Sequence, residues 1–197
     1  MQNAADNLAG LIAPLTWTTS AGRLARSGAR VAVNDLPGAA LARAVAELRS
    51  EGCAVEAASA RQVAASALDV LGGLDYLVND AGALRSSRGA VVNTVSVAAF
   101  GGGASSTAYA TAKAGLAGLT RELARGLAPA VRVNGIAPGL VNSNWECSFG
   151  DIAAAARAVV PLARVGEPDD DAEVIVFLCA GAYITGEVIP VTGGSRL

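Results

Sequence analysis

Histidine is absent from this 197-residue chain, and cysteine and charged residues are scarce. Without an imidazole, Ser-His-Asp and Cys-His catalysis are excluded, as are most zinc enzymes. The three cysteines, Cys53, Cys147 and Cys179, are widely spaced, so the sequence predicts neither a disulfide framework nor a metal site. Charged residues make up only 16% of the chain, which argues against a disordered protein.

Long apolar runs are also missing. No run approaches the roughly 20 residues of a membrane-spanning helix, and no basic region followed by an apolar core marks a signal peptide at the N-terminus. The net charge of -2 gives no reason to expect nucleic acid or an anionic membrane as a partner. We therefore expect a cytoplasmic protein without such partners. The hydrophobic content of 52% is enough for one domain, over residues 1–197, with a full core.

Short β-branched runs alternate along the chain with segments rich in alanine and leucine. The predicted strands are residues 11–16, 29–35, 55–59, 74–79, 90–96, 131–136 and 187–191. The predicted helices are residues 20–27, 39–50, 61–71, 105–127, 151–160 and 169–179. Such alternation predicts an α/β fold, a Rossmann-like doubly wound parallel sheet in a single domain with shortened crossovers.

Tyr109 and Lys113 are four residues apart in a predicted helix, so both side chains lie on the same face. An ammonium beside a phenol favours the phenolate, and a tyrosine placed in this way can act as a general acid or base. Ser96 closes an apolar run typical of a buried strand. The glycines at 101–103 then allow the chain to turn back toward the helix.

This spacing resembles the catalytic set of the short-chain dehydrogenase/reductases. Ser96 precedes Tyr109 by thirteen positions, and Lys113 follows four later. Three flanking stretches strengthen the resemblance: Val-Asn-Thr-Val-Ser at 92–96, Ala-Gly-Leu-Ala-Gly-Leu-Thr at 114–120, and Val-Arg-Val-Asn-Gly-Ile-Ala-Pro-Gly at 131–139. The resemblance implies an NAD(P)-dependent oxidoreductase, here a homo-oligomer, that interconverts a hydroxyl and a carbonyl on a small-molecule alcohol or carbonyl substrate by hydride transfer. Tyr109 would exchange the proton, Lys113 would assist it, and Ser96 would bind the substrate oxygen.

The resemblance also implies a nicotinamide cofactor. The residues it assigns to cofactor binding are Asp35, Leu36, Asn79, Asp80, Ala81, Gly82, Tyr109, Lys113, Pro138, Gly139 and Val141. An acidic residue at the position of Asp35 hydrogen-bonds the adenine ribose and disfavours a 2′-phosphate, which favours NAD over NADP. Asp35 also suits a turn before Pro37-Gly38, and both interpretations stay open. Asp80 stands where the family has asparagine.

The cofactor fingerprint of the family is damaged in this chain. The family has Thr-Gly-x-x-x-Gly-x-Gly at this point. When the threonine of that motif is aligned with Thr16, its three glycine positions fall on Trp17, Ala21 and Arg23. These glycines normally allow a tight turn and a close approach of the backbone to the pyrophosphate. Pro14 would remove an amide donor from the predicted first strand. A weaker phosphate site formed by Gly22 and Arg23 is one alternative.

A second departure is the short link after Gly82. Only residues 83–89 join two strands that are parallel neighbours in the family, where a helix normally makes the crossover. The family carries an active-site asparagine and much of its dimer surface on that helix. These losses leave a second hypothesis open: the protein is non-catalytic, has lost cofactor binding and acts, if at all, by association.

Overall fold

Seven parallel strands form a single sheet in the computed structural model, in the order β3-β2-β1-β4-β5-β6-β7. The structure describes residues 7–11, 22–23, 25–26, 28, 30–34, 39–58, 76–79, 89–101, 106–142 and 152–196. The strands are β1 (Asn7–Leu11), β2 (Arg30–Asn34), β3 (Val55–Ala58), β4 (Tyr76–Asn79), β5 (Gly89–Thr94), β6 (Val131–Pro138) and β7 (Val188–Val191). The predicted doubly wound parallel sheet is confirmed.

Four helices and one short 3₁₀ helix have described bounds. They are α1 (Ala39–Ser50), the 3₁₀ helix (Val97–Phe100), α2 (Thr107–Leu127), α3 (Ile152–Val159) and α4 (Pro168–Ala180). All four helices fall within about two residues of their predicted bounds. The predicted helix 61–71 lies outside the described residues. Among the described helices, none combines the length and the apolar character needed to cross a bilayer.

Neighbouring residues of β5 point to opposite faces of the sheet, and each face is covered by different helices. Val92 belongs to a core cluster with Leu48 of α1 and Ile175 of α4. Val91 belongs to a separate cluster with Ala124 of α2. β5 is therefore buried on both sides, which explains why its sequence is a continuous apolar run rather than an alternating one.

The first strand starts earlier than the sequence predicts. β1 begins at Asn7 rather than at residue 11, and its residues pair with β2 from Asn7↔Arg30 to Leu11↔Asn34. Pairing on both sides outweighs the weak intrinsic β propensity of Asn-Leu-Ala-Gly-Leu. Pro14 thus follows the described strand and removes no amide donor from it. The rest of the predicted strand, residues 12–16, lies outside the described residues.

β4 and β5 are parallel neighbours, with Tyr76 opposite Ala90 and Asn79 opposite Asn93. The shortness of their connection is a property of the sequence: nine residues, 80–88, separate the two strands. Because these residues lie outside the described part, the expected loss of the crossover helix stays a prediction.

Candidate active site

The carboxyl ends of β5 and β6 lie side by side, and Thr94 of β5 is paired with Ile136 of β6. Ser96 follows β5 by two residues and caps the 3₁₀ helix, where its Oγ accepts a hydrogen bond from the amide of Ala98 at 3.2 Å. The hydroxyl serves as the acceptor in this contact, so its own hydrogen is not used there. Ser96 is half-buried, at the edge where ligands bind in doubly wound sheets.

The helix α2 brings the second and third members of the set to the same edge. Its N-cap is Ser106, whose Oγ accepts from the amide of Tyr109 at 3.3 Å. The ammonium of Lys113 donates to the carbonyl of Thr94 at 2.8 Å and lies 5.7 Å from the centre of the Tyr109 ring. Lys113 therefore connects Thr94, the last residue of β5, to the helix face that carries the Tyr109 phenol. Thr94 is two residues before Ser96 in the chain.

The loop after β6 is held in place by backbone contacts. The amide of Gly139 donates to Val191 of β7 at 2.9 Å, and a Cβ at Gly139 would lie 3.2 Å from the Thr192 backbone. Val141 forms a bridge with Gly166, which also receives a hydrogen bond from the amide of residue 142 at 2.7 Å. This close approach explains why glycine follows Pro138, and the contacts fix the loop against the end of β7 and the turn before α4.

The other predicted cofactor residues are only partly described. Asn79 is the last residue of β4, and Asp35 is the residue directly after β2. The last residues of these strands, Asn34 and Asn79, are at the carboxyl edge of the sheet, on either side of β1, where the strand order reverses. Asp35 itself, Leu36, Asp80, Ala81 and Gly82 lie outside the described residues.

Arg23, one alternative for binding a phosphate, has a protein partner. Its Nε contacts Asp169 Oδ1 at 2.5 Å in an exposed ion pair at the start of α4. The early start of β1 also affects the fingerprint. If the family motif is moved four residues toward the N-terminus, to follow the observed start of β1, its glycine positions fall on Ala13, Trp17 and Thr19. The loop therefore lacks all three glycines in either alignment.

The structure adds contacts that sequence reasoning missed. The Thr94 carbonyl is the acceptor for Lys113, and a backbone group leaves no residue-type signal in the sequence. The Arg196 guanidinium stacks 4.5 Å from the centre of the Phe100 ring, which ties the C-terminal turn to the helix capped by Ser96. A cation close to an aromatic ring can be named from sequence only when the two residues are near neighbours, and these are 96 positions apart.

The thiol of Cys179 does not suit nucleophilic chemistry. Cys179 is a buried residue of α4, and burial raises the pKa of its thiol to about 12. A thiol held neutral in this way is a poor nucleophile. The reactive groups at the carboxyl edge are therefore a hydroxyl, a phenol and an ammonium.

A family model described as enoyl-(acyl carrier protein) reductase matches residues 83–196. The chain is 43% identical over 110 residues to the 3-oxoacyl-[acyl-carrier-protein] reductase FabG of Aquifex aeolicus, covering 54% of this chain and 44% of that protein. It thus spans less than half the length of this relative. It is 30% identical over 244 residues to human dehydrogenase/reductase SDR family member 2, covering 95% of this chain and 87% of that protein.

A solved structure agrees with these relatives. The crystal structure of a short-chain dehydrogenase/reductase from Brucella melitensis, a glucose/ribitol dehydrogenase, superposes with a TM-score of 0.82. The two sequences are 25% identical, and the match covers 98% of this chain and 97% of that one. The chain belongs to the short-chain dehydrogenase/reductase family, as its sequence predicted.

Proposed function

We propose that the protein is an NAD(P)-dependent oxidoreductase that interconverts a hydroxyl and a carbonyl by hydride transfer, with NAD preferred. The observation that carries the proposal is the position of Lys113, hydrogen-bonded to the end of β5 and 5.7 Å from the Tyr109 ring. An ammonium held there can stabilise the negative charge that develops on the phenol oxygen while the proton is transferred. The name of the Aquifex relative makes a β-ketoacyl thioester the first substrate to test.

In this mechanism each residue has one task. Tyr109 gives its proton to the carbonyl oxygen during reduction and takes it back during oxidation. Ser96 donates a hydrogen bond to the same oxygen as negative charge develops on it. Lys113 stabilises the phenolate left after proton transfer. The nicotinamide, when bound, supplies or accepts the hydride.

The residues present fit the nicotinamide half of the cofactor. Pro138, Gly139 and Val141 would hold the ring, because their loop follows β6 at the carboxyl edge of the sheet and is fixed there by Val191 and Gly166. Asp35 would bind the adenine ribose and favour NAD. The pyrophosphate loop is the weak part of the site, since the glycines that permit close approach are replaced in the sequence.

A non-catalytic role is the second candidate. It is favoured by the ion pair between Arg23 and Asp169. Arg23 is the cationic residue nearest to the damaged loop in the sequence, and this pair competes with binding of a phosphate. Under this reading the chain keeps the family fold and acts by association with another protein.

One experiment separates these candidates. Oxidation of NADH, followed by absorbance with acetoacetyl thioester as substrate, should show turnover with the native protein. Tyr109→Phe should lose at least about 100-fold of that turnover, because general acid catalysis contributes about 10²–10⁴-fold. Tyr183→Phe is the matched control, since Tyr183 is fully exposed on the loop after α4. Equal losses in both variants, or no turnover with either NADH or NADPH, would favour the non-catalytic reading.

We also propose a cytoplasmic homo-oligomer that acts as one domain. Leu119 on α2 and Phe177 on α4 are 47% and 55% exposed, and such apolar surface supports association between copies. Light scattering of the purified protein gives the mass directly. A mass equal to one chain at micromolar concentration would rule the oligomer out.

A further inference from the structure

The contact between Arg196 and Phe100 lies outside the proposed catalytic set but touches the same short helix. The Arg196 guanidinium is 4.5 Å from the centre of the Phe100 ring, within the roughly 6 Å over which a cation and an aromatic face attract each other. Phe100 is the last residue of the 3₁₀ helix that Ser96 caps. Because β6 lies between β5 and β7 in the sheet, this contact connects the turn after β7 to the segment after β5.

The 3₁₀ helix depends on Phe100 for much of its packing. The helix has only four residues, none of them fully buried, and the hydrogen bond from the Gly101 amide to the Ala98 carbonyl is long at 3.4 Å. Short 3₁₀ helices have poor hydrogen-bond geometry, and the glycines at 101–103 carry no side chain that could hold the end. Phe100, the largest side chain of the helix, packs against the core cluster that contains Val95 and Ala117. The position of the helix is therefore sensitive to whatever holds this ring.

The turn that carries Arg196 is itself fixed to the body of the protein. The amide of Leu162 donates to the Gly193 carbonyl at 3.1 Å. A Cβ at Gly194 would lie 2.8 Å from the Pro161 ring, so the turn packs closely on the segment after α3. Arg196 therefore reaches the 3₁₀ helix from an anchored part of the chain, although its own side chain is exposed.

The orientation of the Ser96 hydroxyl depends on this helix. Ser96 Oγ accepts the hydrogen of the Ala98 amide at 3.2 Å, which leaves the hydroxyl hydrogen for another acceptor. When the helix opens, that bond is lost and the hydroxyl rotates freely. A hydrogen bond that strengthens as charge develops on the substrate oxygen affects turnover more than ground-state binding, so a poorly oriented Ser96 lowers kcat.

We propose that Arg196 is a positioning residue for Ser96 and acts through Phe100. The guanidinium holds the aromatic ring, the ring holds the 3₁₀ helix against the core, and the helix keeps the Ser96 hydroxyl oriented toward the substrate oxygen. The role assigned to Arg196 rests on the proposed oxidoreductase function. Its structural part is measurable without turnover.

Amide hydrogen exchange on the full chain tests the structural part. The Ala98 amide reports its bond to Ser96 directly, and the Val95 amide, bonded to the Ile136 carbonyl at 2.8 Å, is the internal reference. In Arg196→Ala the Ala98 amide should exchange about two- to fivefold faster, the range of an exposed cation–π contact, while the Val95 amide keeps its rate. Arg196→Lys keeps a cation and should restore most of the native rate. An unchanged Ala98 rate in Arg196→Ala, or equal acceleration at both amides, would overturn the proposal.

Steady-state kinetics with acetoacetyl thioester and NADH tests the catalytic part. In Arg196→Ala, kcat should fall about two- to fivefold. KM for NADH should change less than twofold, because Val191 and Gly166 rather than Arg196 hold the nicotinamide loop. Arg125→Ala is the matched control, since Arg125 is also exposed and lies near the end of α2, away from the carboxyl edge. A native kcat in Arg196→Ala, or the same loss in Arg125→Ala, would contradict the positioning role.

A double-mutant cycle shows whether Arg196 acts through the aromatic ring. Phe100→Leu keeps an apolar side chain but removes the aromatic face, so adding Arg196→Ala to it should change neither the Ala98 exchange rate nor kcat further. A further change as large as in the native background would contradict the route through Phe100. Absence of turnover in the native protein would overturn the oxidoreductase function, and the exchange rates would still decide whether Arg196 fixes Ser96. Unchanged exchange rates in an active protein would overturn only the positioning role.

Discussion

At the scale of single residues, Lys113 is the most informative side chain, and it is the only lysine in the sequence. Its ammonium is half-buried and bonded to Thr94, so its reaction with succinimidyl acetate should be slower in the native than in the urea-unfolded protein. A charge-assisted hydrogen bond of about 1.5–3 kcal/mol predicts a rate ratio of roughly ten or more. Peptide mass spectrometry measures both rates, and equal rates would show that the contact does not persist in solution.

Asp171, which is buried in the first turn of α4, carries a second prediction at this scale. Burial, and then the charge of Asp170, raise the pKa of its carboxyl to about 7 in the folded protein, whereas it is near 4 in the unfolded chain, so the folded state binds the extra proton between these values. The free energy of unfolding should therefore fall as the pH rises from about 4 to about 7. Asp170 affects stability in a different pH range, because its pKa is lowered to about 2 in the folded protein by its hydrogen bonds with Arg164. Its ionised carboxylate stabilises the fold above about pH 4, and that contribution is lost as the pH falls toward 2.

Asp171→Asn removes the cost of a buried carboxylate. At pH 8 it should raise the free energy of unfolding by about 1–4 kcal/mol, the upper value being the full shift at 1.36 kcal/mol per pKa unit. At pH 4 the gain should be small, since the native carboxyl is then protonated. Urea unfolding at both pH values measures the difference, and a variant less stable than the native protein at pH 8 would refute the assignment.

At the scale of elements, the turn after β7 depends on two glycines. Gly194 has φ +93°, and a Cβ there would lie 2.8 Å from the Pro161 ring. Gly194→Ala should therefore lower the free energy of unfolding by more than the roughly 1–2 kcal/mol that a left-handed backbone costs an alanine. The loss exceeds that value because the clash between the added Cβ and the Pro161 ring adds to the cost of the left-handed backbone conformation.

Gly118 provides the opposite case within α2. A Cβ there would meet no atom within 4 Å, and the residue is exposed in the helix interior. Gly118→Ala should stabilise the protein by about 0.8–1.0 kcal/mol, the difference in helix propensity. Thermal unfolding of both variants provides the measurement. If Gly194→Ala is as stable as the native protein, the turn after β7 does not have the described conformation.

At the scale of the whole molecule, the affinity for cofactor should be low compared with an intact family member. Loss of one or two charge-assisted hydrogen bonds to the pyrophosphate costs about 1.5–3 kcal/mol each, which is roughly ten- to a thousand-fold or more in affinity. Calorimetric titration with NADH tests this expectation. A dissociation constant in the low micromolar range would contradict it.

Trp17 occupies a glycine position of the fingerprint in both alignments, so it is the residue to revert first. Trp17→Gly should tighten NADH binding if its side chain obstructs the pyrophosphate. Trp145→Gly is the compositional control, because it removes the other tryptophan from a different part of the sequence. If only the control changes the affinity, the glycine loop is not the cause of weak binding.

Much of the architecture could be read from the sequence because it depends on local patterns. The apolar runs around Val31, Val78, Val91 and Val133 predicted buried parallel strands, and these residues lie in β2, β4, β5 and β6. The bounds of α1 were predicted to the residue, since Gly52 with its positive φ follows the helix end. The spacing of Ser96, Tyr109 and Lys113 indicated the family without any structural information.

Other features were decided only by tertiary structure, because they join distant parts of the chain. The start of β1 was predicted four residues late, since pairing with β2 and β4 determines where a strand of weak propensity begins. The Thr94 carbonyl could not be assigned to Lys113 from composition or spacing, as every residue carries a carbonyl. No sequence pattern marks Asp171 as buried among the acidic residues at the start of α4, whereas in the fold α4 packs against β5, β6 and β7 and Asp171 is buried. Residue types and spacing thus determined the family and the chemistry that the chain can offer, whereas long-range packing determined which groups are paired and which are buried.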